Sequence, residues 1–277
     1  MQRGALALFV LTLGCLPSEA PRVELALVVD GSGLATSATD LGWTIEFEQV
    51  RMAIGELEFT TAGEVHQAKQ ASGGAWSNAG AVLLGLVLPS AHAHPGHYQG
   101  GEVIGELPGA FVLDFIAGEG AELGKATLIV GEYTAANFLF RRASADELEP
   151  GDPLTGHTAI LAGTATQGEQ AIAFTLVIDS PLDRQLVGAP FEATIEEQSE
   201  VELGFQWLSA DPYEGDHFFD GIDFAALDAV DGAADQVVIL IDPERDPAMP
   251  AALVDAYDNL RRDFQTHDLF DIVTREP

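Results

Sequence analysis

The sequence predicts an all-β fold, mainly an antiparallel β-sandwich, with a C-terminal amphipathic helix. Three observations predict it. Short apolar or alternating segments recur along most of the chain and are separated by glycine, proline and other turn residues. Gln167-Gly168-Glu169 sits between two such segments as a hairpin turn, with Gly168 free to adopt positive φ. From Pro250 onward the apolar spacing changes from the strand period to the helical one.

The chain begins with Met1-Gln2-Arg3 and an apolar run from Gly4 to Gly14. That run has the length of a signal-peptide core and is too short to span a bilayer. It ends at Cys15, the only cysteine. A small residue before a lone cysteine after such a run resembles the lipobox of bacterial lipoproteins, so Cys15 is the expected lipidation site and residues 1–15 the expected leader. An ordinary secretory signal that discards Cys15 is the alternative. Leu16 and Pro17 follow without an aspartate, which by resemblance to enterobacterial sorting implies the outer membrane, with the lipid as the only membrane contact. In either case no disulfide forms, and the framework rests on its core.

Residues 16–249 are expected to form one β-sandwich domain with a histidine-loop insertion near 61–102, and 250–277 a helix packed on the sheet. Aspartate and glutamate total 44 against 12 lysines and arginines, a net charge of −32. Such a surface repels nucleic acid and attracts cations. A hydrophobic content of 47% is that of a folded chain and not of an acidic disordered tail.

The strands follow in order. Val23 to Asp30 is apolar and stops at Gly31-Ser32-Gly33. Trp43 to Met52 alternates, with Trp43, Ile45 and Phe47 on one face against Thr44, Glu46 and Glu48, and Ile54 to Thr60 alternates again. The pattern lapses from Thr61 to Asn78, a loop containing His66 and Trp76. Ala79 to Pro89 is an apolar run leading into the histidines. Strand signals resume at Ala110–Phe115, Gly124–Glu132, Asn137–Arg142, Thr158–Thr166, Gln170–Asp179, Phe191–Ile195 and Val201–Leu208, and Val237–Ile241 reads as a buried strand. Leu253, Tyr257, Leu260 and Phe264 then follow helical spacing, with Pro250 near the first turn and Arg261-Arg262 near the end.

The chemistry of the chain concentrates at His92-Ala93-His94-Pro95-Gly96-His97, which holds three of the seven histidines. In extended backbone His92 and His94 share a face. Pro95-Gly96 provides a turn that returns His97 toward them. Glu102, with Glu106 as a second choice, is the oxygen donor nearest in sequence, and His66 is a further nitrogen donor. Three imidazoles and an oxygen make an ordinary four-coordinate site for zinc, and copper takes the same ligands. Clustered histidines also occur in solvated loops without a partner, and HxHxxH lacks the fixed spacing of a helical HExxH.

A second cluster runs from Asp211 to Asp223, with Asp211, Glu214, Asp216, His217, Asp220 and Asp223 within thirteen residues. Hard cations bind such oxygen-rich loops, but the order is not that of an EF-hand, and acidic loops are expected in so acidic a chain. Phe218, Phe219, Ile222 and Phe224 read as anchors to the core. No nucleophile elbow, phosphate loop or dinucleotide fingerprint occurs. The expectation is therefore a non-enzyme.

Two stretches carry a resemblance. Trp43 to Phe59, and Trp207 to Leu227 with its Phe219-Asp220-Gly221-Ile222-Asp223-Phe224 core, resemble segments of the extracytoplasmic copper-binding β-rich lipoproteins found with di-haem peroxidase-like partners. The histidine segment is similar to an AHAHPGHY-like element of uncharacterised bacterial lipoproteins. The multi-cysteine pattern of the copper-binding family is absent here. The resemblance implies an envelope β-sandwich that handles a metal. The expected function is thus capture, buffering or hand-off of copper or zinc through His92, His94, His97, Glu102 and His66, with a transporter or redox protein as partner. A structural or interaction lipoprotein with incidental histidines, and a metal-dependent hydrolase, are the other two readings.

Overall fold

The computed structural model describes residues 20–34, 36, 38–61, 101–181, 184–231 and 236–277. The fold is all-β: strand accounts for 52% of it and helix for 12%. The strands are β1 (Arg22–Asp30), β2 (Thr44–Thr61), β3 (Glu102–Asp114), β4 (Glu122–Ile129), β5 (Gly131–Phe140), β6 (Ala159–Gln167), β7 (Gln170–Ile178), β8 (Arg184–Ile195), β9 (Glu202–Trp207), β10 (Val237–Leu240) and β11 (Phe270–Arg275). Two helices, α1 (Phe224–Asp231) and α2 (Ala251–Asp263), complete it.

Neighbouring strands run β10-β7-β6-β2-β3-β4-β1-β9-β11, with β5 joined to β2 and β8 to β5. The pairings are antiparallel apart from β1 with β9 and β10 with β7, which are parallel. The sheet doubles over a shared core. Phe47 on β2 meets Trp207 on β9 edge-on at 5.6 Å, although three strands separate β2 from β9 in the hydrogen-bonded order. Phe138 on β5 lies 5.2, 5.3 and 5.0 Å from Phe140, Phe205 and Phe270, so aromatic rings from β5, β9 and β11 interlock.

β2 does two jobs. Its first half, Thr44 to Met52, pairs with β6. From Ile54 to Thr60 the same edge pairs with β5, while β3 runs along the other edge. The two alternating segments Trp43–Met52 and Ile54–Thr60, expected as separate strands, are therefore one. Gly55-Glu56, inside the second expected segment, forms a bulge: Glu56 takes φ 50° and stands out to solvent, and pairing with β3 resumes at Leu57. A second bulge at Glu48 brings the backbone of β2 against Gly163, where a Cβ would lie 2.1 Å from the Glu46 carbonyl oxygen.

Other differences have local causes. β3 starts at Glu102, eight residues before the expected Ala110, because Pro108-Gly109 interrupts the pattern without ending the strand. β8 starts at Arg184, ahead of the expected Phe191. Val237–Ile241 is an edge strand lying parallel to β7 and not a buried one, since Ile239 is 54% exposed. The segment 250–277 is α-helical only to Asp263. It then returns as β11, antiparallel to β9 from Phe270↔Trp207 to Arg275↔Glu202. The apolar face of α2 is the expected one, with Leu253, Tyr257 and Leu260 buried and Phe264 buried just beyond its end. The Gln167–Gln170 hairpin is also as expected, closed by a two-residue turn with Gly168 at φ 61°.

Phe138 touches three strands through one ring, so Phe138→Ala is expected to lower unfolding free energy by about 3–5 kcal/mol in denaturant titrations. A loss below about 1 kcal/mol would mean that the aromatic cluster closes over the gap.

Candidate functional site

The expected metal site falls mostly outside the described residues. His66, His92, His94 and His97 lie in 62–100, and Cys15 lies in 1–19. The base of that segment is well defined. Thr61, the last residue of β2, and Glu102, the first of β3, are ladder partners. The histidine-bearing segment therefore leaves and rejoins the sheet at one point, and Glu102 stands exposed there. Glu106 is four residues further along β3, about 13 Å at the strand rise, and opposite Glu58. Of the two carboxylates, Glu102 is the one at the base.

The acidic segment 211–223 folds back on itself. Asp211 N–H donates to the Asp216 carbonyl at 2.8 Å and Gly215 N–H to the Asp211 carbonyl at 2.9 Å. Most of its carboxylates hold backbone. Asp211 Oδ1 accepts from Tyr213 N–H at 2.7 Å. Asp220 accepts from Asp40 N–H at 2.7 Å and from His217 N–H at 2.8 Å, and Asp40 returns a bond by accepting from Gly221 N–H at 2.8 Å. Asp223 caps α1 by accepting from Ala225 and Ala226 N–H, both at 3.1 Å. These are turn and cap roles, so the oxygens face the chain more than a common centre. No group of three or more His, Cys, Asp or Glu among the described residues is arranged to hold a metal ion.

Apart from Asp223, these carboxylates nevertheless line a cleft of about 600 Å³. Asp40 joins Asp211, Asp216 and Asp220 on one side, and Asp263 and Asp268, from the end of α2 and the turn after it, close the other. His217 is in the wall, 6% exposed and stacked on Phe219. Its Nδ1 accepts a bond from Phe219 N–H at 3.0 Å. Burial pushes its pKa down, against the opposing pull of Asp220, so the ring is neutral at neutral pH and its proton sits on Nε2. Burial likewise raises the Asp263 carboxyl, with Arg262 pulling the other way. The contributions of Asp40, Asp263 and Asp268 could not be read from a linear acidic run, because they lie far from 211–223 in the chain.

A third cluster was not legible in the sequence at all. Asp179, at the end of β7, is buried with its Oδ1 2.9 Å from His157 Nδ1 and its Oδ2 2.9 Å from Arg245 Nε. Its backbone N–H donates to Tyr257 Oη at 3.2 Å, and burial pushes the Tyr257 hydroxyl up to about 12. The carboxylate ties the segments carrying His157 and Arg245 to the end of β7, and the backbone N–H of the same residue adds α2. That is an anchoring arrangement, and the phenol remains a neutral hydrogen-bond partner through the physiological range.

No helix of the described residues is long and apolar enough to cross a membrane. No protein-family model, no curated protein and no solved structure matches the chain.

Near the cleft, Asp271 on β11 has its carboxyl raised to about 6, by burial first and by the Glu192 charge as well, against a backbone bond from Ile272. A carboxyl whose folded pKa exceeds its unfolded one binds more protons when folded, so stability falls as pH rises between about 4 and 6. Asp271→Asn is therefore expected to be more stable than the parent at pH 7 by about 1–3 kcal/mol, with the difference vanishing below about pH 4. Urea unfolding of both proteins across that range measures it. A constant difference at all pH values would assign the effect to packing.

Proposed function

We propose that the protein is a non-catalytic metal-binding scaffold of the cell envelope that presents His92, His94 and His97 from the end of a β-hairpin. The observation that carries the reading is the closed base of the segment. Thr61 and Glu102 pair across the ladder, so both ends of the histidine-bearing stretch are held together on a rigid sheet. A site whose ligands depart from a fixed hairpin loses less entropy on closing around an ion than one on a free chain. Glu102, exposed at that base, supplies an oxygen within the same short stretch of sequence. Imidazole nitrogens with a carboxylate oxygen suit copper(II) or zinc, and His66 is available as a further nitrogen. The acid excess of the surface raises the local concentration of cations. Anchoring through Cys15 would keep the scaffold where metal enters the cell, for capture, buffering or hand-off to a transporter or redox partner.

The test is metal content of the purified protein after separate loading with zinc, copper(I) and copper(II) and desalting. One ion per chain is expected in the parent, none in the His92/His94/His97→Ala variant, and a weaker hold in Glu102→Gln. Equal retention by parent and triple variant, or no retention by either, would overturn the histidine site and leave a structural scaffold as the better reading.

A further inference from the structure

Three strands end the sheet among the described residues: β8, β11 and β10. β8 carries Pro190 and Glu192, and β11 carries Asp271 and Arg275, residue types that blunt an open strand edge. β10 with the residue after it, Val237 to Ile241, carries neither a charge nor a proline. The β10 edge is open in its hydrogen bonding as well. Ala173 N–H donates to the Gln236 carbonyl at 2.9 Å, and Val237 pairs with Ala173 in parallel register. The backbone groups turned toward β7 are therefore those of residues 236, 238 and 240, and those of Val237, Ile239 and Ile241 face away from the sheet. Among the described residues none bonds to them on that side.

The independent observation is the charge pattern around that edge. Val238 and Leu240 are buried, whereas Ile239 stands 54% exposed on the opposite face. That face is uncharged across three strands. Val237, Ala173 and Thr164 lie in one row, and Ile239, Thr175 and Ala162 in the next. The first carboxylate in either row is Glu46, on β2. At about 4.8 Å between strands Glu46 lies roughly 14 Å behind the edge, farther than the Debye length of about 8 Å at physiological salt. In a chain of net charge −32, this is a place where two acidic molecules can meet without setting strand-borne carboxylates against each other.

An open edge of this kind is completed by another extended strand. We propose that this strand is β10 of a second copy of the chain, joined antiparallel about a two-fold axis through Ile239. In that register Ile239 meets Ile239 and Val237 meets Ile241. Asp242 meets the exposed Gln236, whose side-chain amide donates to it, so no carboxylate faces a carboxylate along the joint. The outward N–H and C=O groups of Val237, Ile239 and Ile241 all gain partners, and the two sheets become one. This self-match is what selects a second copy: an edge with acidic residues at both flanks would set like charge against like.

The experiment is analytical ultracentrifugation of the purified protein from about 5 to about 500 µM in about 0.3 M salt, with EDTA present so that no metal bridges the histidines. A reversible monomer–dimer equilibrium is expected. Ile239→Lys should weaken it by about tenfold or more, although it lowers the negative charge. Ile239→Pro, which removes an outward N–H and leaves the ladder to β7 intact, should do the same. Ile239→Thr, which keeps the N–H and a branched side chain, should hold the dimer within about threefold. Ile116→Lys, at an exposed position away from the edge, should leave it unchanged. Circular dichroism checks folding; if Ile239→Pro does not fold, the two lysine variants decide. A parent that stays monomeric up to about 500 µM would overturn the proposal and leave the edge to a strand of another protein. A dimer that survives in folded Ile239→Lys, or that Ile116→Lys weakens equally, would overturn it too.

Discussion

Ala53 is the point at which β2 leaves one partner for another. Its N–H donates to the Thr158 carbonyl beside β6 at 2.8 Å, and its carbonyl accepts from Arg141 N–H beyond β5 at 3.2 Å. The strand is buried on both faces here, from Met52 to Gly55. One face meets the aromatic core. The other is covered by a small cluster in which Ala53 packs with Ala143, Leu154 and Ile160. Two arginines fasten the exchange. Arg141 donates from Nε to the Ile54 carbonyl at 2.7 Å and from a terminal nitrogen to the Phe111 carbonyl at 2.9 Å, bridging β2 and β3. Arg51 holds Asp152 with two bonds of 3.0 and 2.9 Å, and that pairing keeps the Asp152 carboxyl below its ordinary range. In a chain with only 12 basic residues, two are committed to this pivot.

Doubling the sheet at β2 has two consequences for function. It sets β3 alongside the end of β2, so Thr61 and Glu102, which bracket the stretch carrying the histidines, are ladder partners. It also leaves α1, α2 and the turn segments at the open side of the sandwich, where Phe218, Phe219 and Phe224 plug the core. Phe219 lies 5.0 Å from Phe174 and 5.5 Å from Phe224, and Phe218 lies 5.2 Å from Trp207. The acidic segment 211–223 is pinned by these rings. Its carboxylates are thereby held in place as a cleft wall, and a solvated acidic loop would not hold them so.

The acid excess acts differently at different depths. Most carboxylates are solvated and give the molecule its negative field. A few are buried and carry structure. Asp179 holds His157 and Arg245 with its carboxylate and Tyr257 Oη with its backbone N–H, and Asp30, 4% exposed, accepts from Ser32 N–H and lies 3.6 Å from an Arg275 nitrogen. Burial raises the Asp30 carboxyl, but its hydrogen bonds and Arg275 outweigh that and leave it below the ordinary value. At Asp271 burial and the Glu192 charge outweigh the one backbone bond from Ile272 and push the carboxyl the other way, to about 6.

Short-range chemistry was legible in the chain. Alternation in Trp43–Phe47, the turn at Gly168, the apolar stripe of α2 and the anchoring aromatics Phe218, Phe219, Ile222 and Phe224 all depend on residues within a few positions of one another, and the structure realises each of them. So does the histidine cluster as a composition, whose chemistry suggests a ligand whatever the fold. Partner choice was not legible. That the segments on either side of Ala53 form one strand, that β11 returns to β9 after α2, that Asp40 and Asp263 join the 211–220 segment around one cleft, and that Asp179 reaches both His157 and Arg245 are decided by contacts between segments 22 to 181 residues apart. Local propensity carries no information about which backbone group across the sandwich will satisfy a given carboxylate, and that pairing sets both the shape of the cleft and the state of its histidine.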